Sequence, residues 1–215
     1  MSSEITKRII SSLVLLPLSI FVIVEGSYFF YATLIIVFII SLYEWNFLSK
    51  KIHFYFLGYL YITISFCCII LLRSTSDYDY WILLIVMFIC IINDIGGFVV
   101  GKIFKGPKLT KYSPNKTFSG SLGGLLLSIC FVFVVPLLNQ QNHIIYSNFV
   151  FFVILISFAS QIGDIVISYF KRISNVKDTG KIIPGHGGIL DRIDGMLLAF
   201  PVAYFLQHQL SIFKL

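Results

Sequence analysis

Seven stretches of this chain are continuously apolar over close to the length a helix needs to cross a lipid bilayer: residues 9–24, 28–47, 54–72, 80–100, 120–138, 147–170 and 194–212. Roughly 20 helical residues span about 30 Å of hydrocarbon. None of the stretches alternates polar with apolar residues, as a barrel strand would, and in lipid every backbone polar group needs a partner inside the protein. Composition agrees, since 58% of the 215 residues are hydrophobic and only 12% are charged, against about 25% charged in a soluble domain. The expected fold is an all-α polytopic membrane bundle of about seven transmembrane helices, forming one domain over residues 1–215.

Charge orients such a bundle. With the N-terminus in the cytoplasm, the cytoplasmic segments hold Lys7, Arg8, Lys50, Lys51, Lys102, Lys105, Lys108, Lys111, Lys116, Lys171, Arg172, Lys177, Lys181 and Arg192, fourteen of the sixteen cations. Only Arg73 and Lys214 fall outside. Cytoplasmic loops concentrate Lys and Arg, so the two long polar connections, 101–119 and 171–193, are expected to form a cytoplasmic working face. The net charge of +6 then reads as topology plus affinity for anionic headgroups. Nucleic acid is not an expected partner, because the basic residues sit in short loops and not on one soluble face.

The remaining features of the spans have plain readings. Cys67, Cys68, Cys90 and Cys130 lie in apolar windows without a CxxC pair and read as small buried hydrophobes, neither disulfide nor zinc. Lys7-Arg8 precedes the first window as in a secretory signal, but its exit, Val24-Glu25-Gly26-Ser27, lacks an Ala-x-Ala cleavage site, so the window is expected to stay as a span. Glu44, beside Trp45 near a span end, reads as an interfacial anchor. Gly97-x-x-x-Gly101 permits close helix approach.

Most of the ionisable chemistry is gathered between Ser168 and Asp194. This run supplies Lys171, Arg172, Lys177, Lys181 and Arg192, the carboxylates Asp178, Asp191 and Asp194, and a Pro-Gly-His-Gly-Gly turn at 184–188. Cations with carboxylates and close-approaching backbone suit a polyphosphate handled with a divalent metal. Just upstream, Asp164, Ser168 and Lys171 are spaced i, i+4 and i+7, on one helical face. An Asp at a helix centre in lipid costs about 3 kcal/mol, so Asp94 and Asp164 call for a reason, either a functional one or a snorkelling, paired helix-end carboxylate.

The spacing of this run resembles the signature of the phosphatidate cytidylyltransferases, membrane enzymes that make CDP-diacylglycerol from CTP and phosphatidic acid. The matching positions are Ser168, Lys171-Arg172, Lys177-Asp178, Gly180, Pro184, His186-Gly187-Gly188 and Asp191-Arg192-x-Asp194. A second element, Ser113-Pro114-Asn115-Lys116-Thr117 before Leu122-Gly123-Gly124, is similar to the family's Ser-Pro-x-Lys-Thr loop. Relatives commonly carry Glu two residues after that Thr, where this chain has Ser119, so any role of that Glu is absent here or passes to another group. The resemblance implies transfer of the cytidylyl group of CTP to phosphatidic acid, with Asp164 and Asp191 holding Mg²⁺ and a second cation compatible with it. It also implies a catalytic set of Asp164, Lys171, Arg172, Lys177, Asp178, Asp191 and Arg192. Substrate contacts would fall to Ser113, Lys116, Thr117, Ser168, His186, Gly187, Gly188 and Asp194, with His186 touching a nucleotide or phosphate and not cycling a proton. Membrane lipids are the surroundings, a bacterial cytoplasmic membrane the expected location, and a homodimer is compatible with the reading. Two rivals use the same residues differently: another CTP-dependent lipid enzyme such as a polyprenol kinase, and a transporter built on Asp94 and Asp164.

Overall fold

The computed structural model of the protein describes residues 2–50, 53–74, 79–135, 143–144, 146–183, 185, 187–210 and 213–214. The helices are α1 (Ser2–Glu25), α2 (Ser27–Ser49), α3 (Tyr55–Ser74), α4 (Asp79–Phe104), α5 (Phe118–Phe131), α6 (Tyr146–Ile173), the single turn α7 (Leu190–Ile193) and α8 (Met196–Gln209). A two-residue antiparallel pair, β1 (His143–Ile144) with β2 (Phe213–Lys214), completes the elements. Every apolar window is taken up wholly or largely by a helix, because a helix satisfies its own backbone groups where water is absent. Four helices are long and apolar enough to cross a membrane, over Ser27–Ser49, Tyr55–Arg73, Tyr80–Phe104 and Tyr146–Ile173. The other three apolar stretches, Leu13–Glu25, Phe118–Phe131 and Met196–Gln207, are shorter, so length and composition among the described residues support four of the seven expected crossings.

The chain packs as two compact units, one of residues 1–84 and 169–194, the other of 85–168 and 195–215. In the first, Gly26 separates α1 from α2 at φ 66, and a side chain there would run into the Arg73 guanidinium. Trp45, 1% exposed, organises the end of α2. Its indole N–H donates to the Tyr55 carbonyl at 2.9 Å, its ring fills the space a Cβ on Gly58 would need, and it meets Phe170 edge-on at 5.1 Å. Ser174 Oγ donates to the Leu48 carbonyl at 2.5 Å, so the chain leaving α6 is fastened to the end of α2.

In the second unit α4 and α5 approach through glycine. A Cβ on Gly96 would lie 2.9 Å from Gly124 Cα, one on Gly97 3.6 Å from the Gly120 carbonyl oxygen, and one on Gly101 2.9 Å from Thr117 Oγ1. The close approach expected of Gly97-x-x-x-Gly101 is therefore present, with Gly120, Gly123 and Gly124 as its counterpart. Beside it lies a buried polar network. Asn93 Oδ1 accepts from Ser157 Oγ and from Gln161 Nε2, both at 2.9 Å, while Gln161 also donates to the Ser121 carbonyl at 3.1 Å and accepts from Ser121 Oγ. These bonds join α4, α5 and α6 in apolar surroundings, where a satisfied network is strong and an unmade one costly.

One expectation about the spans is corrected, that for the cysteines, and Asp94 is located. Asp94 is exposed and its neighbour Asn93 is the buried polar residue, so the charge stays out of the core and the neutral amide enters it. Of the cysteines, all free, Cys90 alone is buried, whereas Cys67 and Cys130 lie on exposed faces of apolar helices. The first long polar connection is also shorter than its sequence bounds, because α4 continues through Gly101–Phe104.

Candidate active site

In the first unit the site grows from the end of α6. Val176 N–H returns to the Lys171 carbonyl and Asn175 N–H to the Arg172 carbonyl, with Asn175 at φ 57. This is the left-handed helix stop that Asn tolerates better than most residues. It turns the chain out of the helix while Lys171 still projects from the last turn. Farther along, Ile183 N–H bonds the Gly187 carbonyl at 2.9 Å, closing a tight turn in which Gly185 (φ 77) and Gly187 (φ 86) take left-handed conformations open to glycine.

The turn delivers Asp191, 8% exposed, into a shell of donors. Lys171 Nζ reaches Oδ1 at 2.8 Å, while Oδ2 accepts from Thr179 N at 2.8 Å, Thr179 Oγ1 at 3.0 Å and Gly188 N at 3.0 Å. Burial pushes this carboxyl up, but the Lys171 hydrogen bond and charge and the Gly188 and Thr179 amides outweigh it and hold it below its ordinary value. Gly187 lies against two of the segment's three aspartates, since a Cβ there would be 2.7 Å from Asp191 Oδ2 and 3.1 Å from Asp178 Cβ. In the same segment as the part-buried Lys171–Asp191 pair, Arg172, Lys177, Asp178, Lys181 and Arg192 are exposed, and Asp194 is buried. His186 and Pro184 lie outside the described residues.

The anchor role expected of Glu44 is overturned. It is 1% exposed and faces inward, accepting from Ile189 N at 3.0 Å, Leu190 N at 2.8 Å and Thr179 Oγ1 at 3.0 Å. Sequence reasoning missed both Glu44 and Thr179. The cost of a carboxylate in an apolar window, which singled out Asp94 and Asp164, applies equally to Glu44 and was the signal available.

In the second unit, Lys116 forms an ion pair with Asp164, whose Oδ1 also accepts from Ser168 Oγ at 3.2 Å. The Ser-Pro-x-Lys-Thr loop thus meets the carboxylate that precedes the signature, a pairing no local spacing could reveal. Thr117 caps α5, its hydroxyl accepting from Gly120 N at 3.1 Å. Ser113 accepts from Lys116 N at 3.1 Å through its carbonyl, which closes the turn around Pro114. Ser119 donates to the Lys105 carbonyl and lies 3.0 Å from Thr117 Oγ1, so it clamps the loop's two ends.

Comparison with known proteins points one way. The model of the cytidylyltransferase family matches residues 46–210. The phosphatidate cytidylyltransferase of Rickettsia typhi is 38% identical over 206 residues, 92% of this chain and 89% of that one. That of Rickettsia felis is 37% identical over 93% of this chain and 91% of its own length. That of Bacillus subtilis is 35% identical over 75% of this chain and 60% of its own.

Proposed function

Since the chain belongs to the cytidylyltransferase family, we propose that it transfers the cytidylyl group of CTP to phosphatidic acid, giving CDP-diacylglycerol and pyrophosphate at the cytoplasmic face of a bacterial inner membrane. The observation that carries the reading is the Ser168–Asp194 segment folded around one buried, lysine-compensated carboxylate, Asp191, with further cations exposed beside it. A phosphate oxygen of phosphatidic acid attacks the α-phosphorus of CTP, the bond to the bridging oxygen of the β-phosphate breaks, and pyrophosphate leaves. The attacking group is already anionic near neutral pH, so the obstacle is repulsion between anions and not removal of a proton. Lys171, Arg172, Lys177 and Arg192 lower that repulsion, Arg where two oxygens are gripped at once.

The donors suit a hard divalent cation of the Mg²⁺ type. Among the described residues no group of three His, Cys, Asp or Glu side chains is assembled that could hold a metal alone. One or two carboxylates completed by water and substrate phosphates is the usual arrangement for Mg²⁺. By the family resemblance Asp164 or Asp191 would supply them, and each pairs with a lysine within its own unit, Asp164 with Lys116 and Asp191 with Lys171. Bound there, the ion would neutralise and align phosphate oxygens.

The orientation rests on the cation bias of the loops, which puts the signature where CTP is. To test the reading, purified protein in detergent is given CTP labelled in its cytidine. The label is expected in a lipid only when phosphatidic acid and a divalent metal are both present. Asp164→Asn and Asp191→Asn should each remove most of it, and the pair should lose less than the product of the two losses, as ligands acting as a unit do. Equal labelling of diacylglycerol would defeat the assignment.

A further inference from the structure

The signature segment is tethered from a distant part of the chain. Glu44 on α2 stands 135 residues before Thr179, yet all three hydrogen bonds described for its carboxylate come from the 179–190 segment. Two glycines clear the space it occupies. A Cβ on Gly180 would lie 2.6 Å from Glu44 Oε1, and one on Gly188 would overlap Oε2 and Thr179 Oγ1. Thr179 Oγ1 is 3.0 Å from both Glu44 Oε2 and Asp191 Oδ2. A hydroxyl carries one hydrogen, so Thr179 serves one carboxylate at a time and stands as the link between them.

We infer that Glu44 is a positioning residue for the reaction, holding Asp191 in register against Lys171 through Thr179 and the amides of Ile189 and Leu190. The chemistry of the site requires a carboxylate and not an amide. Glu44 accepts a main-chain N–H on each oxygen, Ile189 on Oε1 and Leu190 on Oε2. Glutamine offers one acceptor and one donor group, so whichever way it turns, one buried backbone N–H faces an NH₂ and loses its partner. The end of α2 is a firm base for this tether, because Trp45 and the Ser174–Leu48 bond already fix it.

The inference rests on the proposed transfer only in its activity readout. Hydrogen–deuterium exchange of the whole protein in detergent reads the positioning directly and needs no substrate. In Glu44→Gln, at least one of the Ile189 and Leu190 amides should exchange about tenfold faster or more while α3 keeps its protection, and turnover should fall about tenfold or more, as for other residues that orient a functional carboxylate. Thr179→Ser, which keeps the hydroxyl, should retain wild-type behaviour, and Thr179→Val should lose turnover. Glu44→Gln with Thr179→Val should be little worse than the poorer single variant. Amide exchange in Glu44→Gln within about twofold of wild type, or independent effects of the two substitutions, would overturn the inference. If Glu44→Gln does not accumulate as folded protein, the Thr179 pair decides: Val impaired with Ser intact supports the tether, and Val equal to Ser overturns it. A wild-type protein without transfer activity would remove the proposed function and leave the exchange result to judge Glu44.

Discussion

At the scale of single residues, Asp191 is tightly specified by its surroundings. Four donors converge on its two oxygens, and a carboxylate with that company is stable in its charged form. Because its pKa is depressed on folding, its contribution to stability is fully present above the ordinary value of 3.8 and is lost as pH falls below that through the lowered pKa. The gap in thermal unfolding temperature between wild type and Asp191→Asn in detergent should therefore be flat at neutral pH and shrink only below the ordinary carboxylate range. A gap that narrows already between about pH 5 and 7 would show that another group is responsible. Ser168 and Lys171 stood out in the sequence through their helical spacing, and Asp191 through the resemblance carried by the 168–194 run. Glu44 did not, since its partners are 135 and more residues away and no helical or strand period connects them. The Lys116–Asp164 pair was hidden for the same reason, though each member stood out alone.

At the scale of elements, apolar windows located the helices well, because a hydrocarbon environment leaves the backbone few alternatives. They located the helix ends less well. Residues Gly101–Phe104 continue α4 beyond its apolar window, since a helix extends into the interface wherever its own hydrogen bonds allow. The glycine spacing on α4 announced close packing, and α5 answers it with glycines of its own. In Gly96→Ala the new Cβ would meet backbone, Gly124 Cα at 2.9 Å and the Gly123 carbonyl oxygen at 3.0 Å, and backbone cannot step aside cheaply. Overpacking of this kind costs about 1–3 kcal/mol, so Gly96→Ala should lower the unfolding temperature in detergent. Gly97→Ala, whose Cβ finds its nearest neighbour at an ordinary 3.6 Å, should cost much less. Equal stability of the two variants would mean that α4 and α5 do not pack through Gly96.

For the molecule as a whole, the all-helical membrane fold was the firmest reading of the sequence, and the count of crossings was the weakest. Windows of similar hydropathy became helices of different length, because α5 stops at Phe131 whereas α6 runs on to Ile173. Orientation can be settled independently of that count. In a variant lacking the four native cysteines, Lys181→Cys should react with a membrane-impermeant thiol reagent only after cells are opened, and Asn142→Cys should react in intact cells. The opposite pattern would place the signature away from CTP.

The central claim, that the Ser168–Asp194 segment moves a cytidylyl group and not a phosphoryl group, is tested most directly by following both ends of one nucleotide. Purified protein is supplied with phosphatidic acid, Mg²⁺ and CTP carrying tritium in the cytosine ring and radiophosphorus at the γ position. Tritium should appear in the lipid and radiophosphorus in free pyrophosphate, in equal molar amounts. Radiophosphorus in the lipid without tritium, the outcome for a lipid kinase, would contradict the account, as would a lipid fraction carrying neither label.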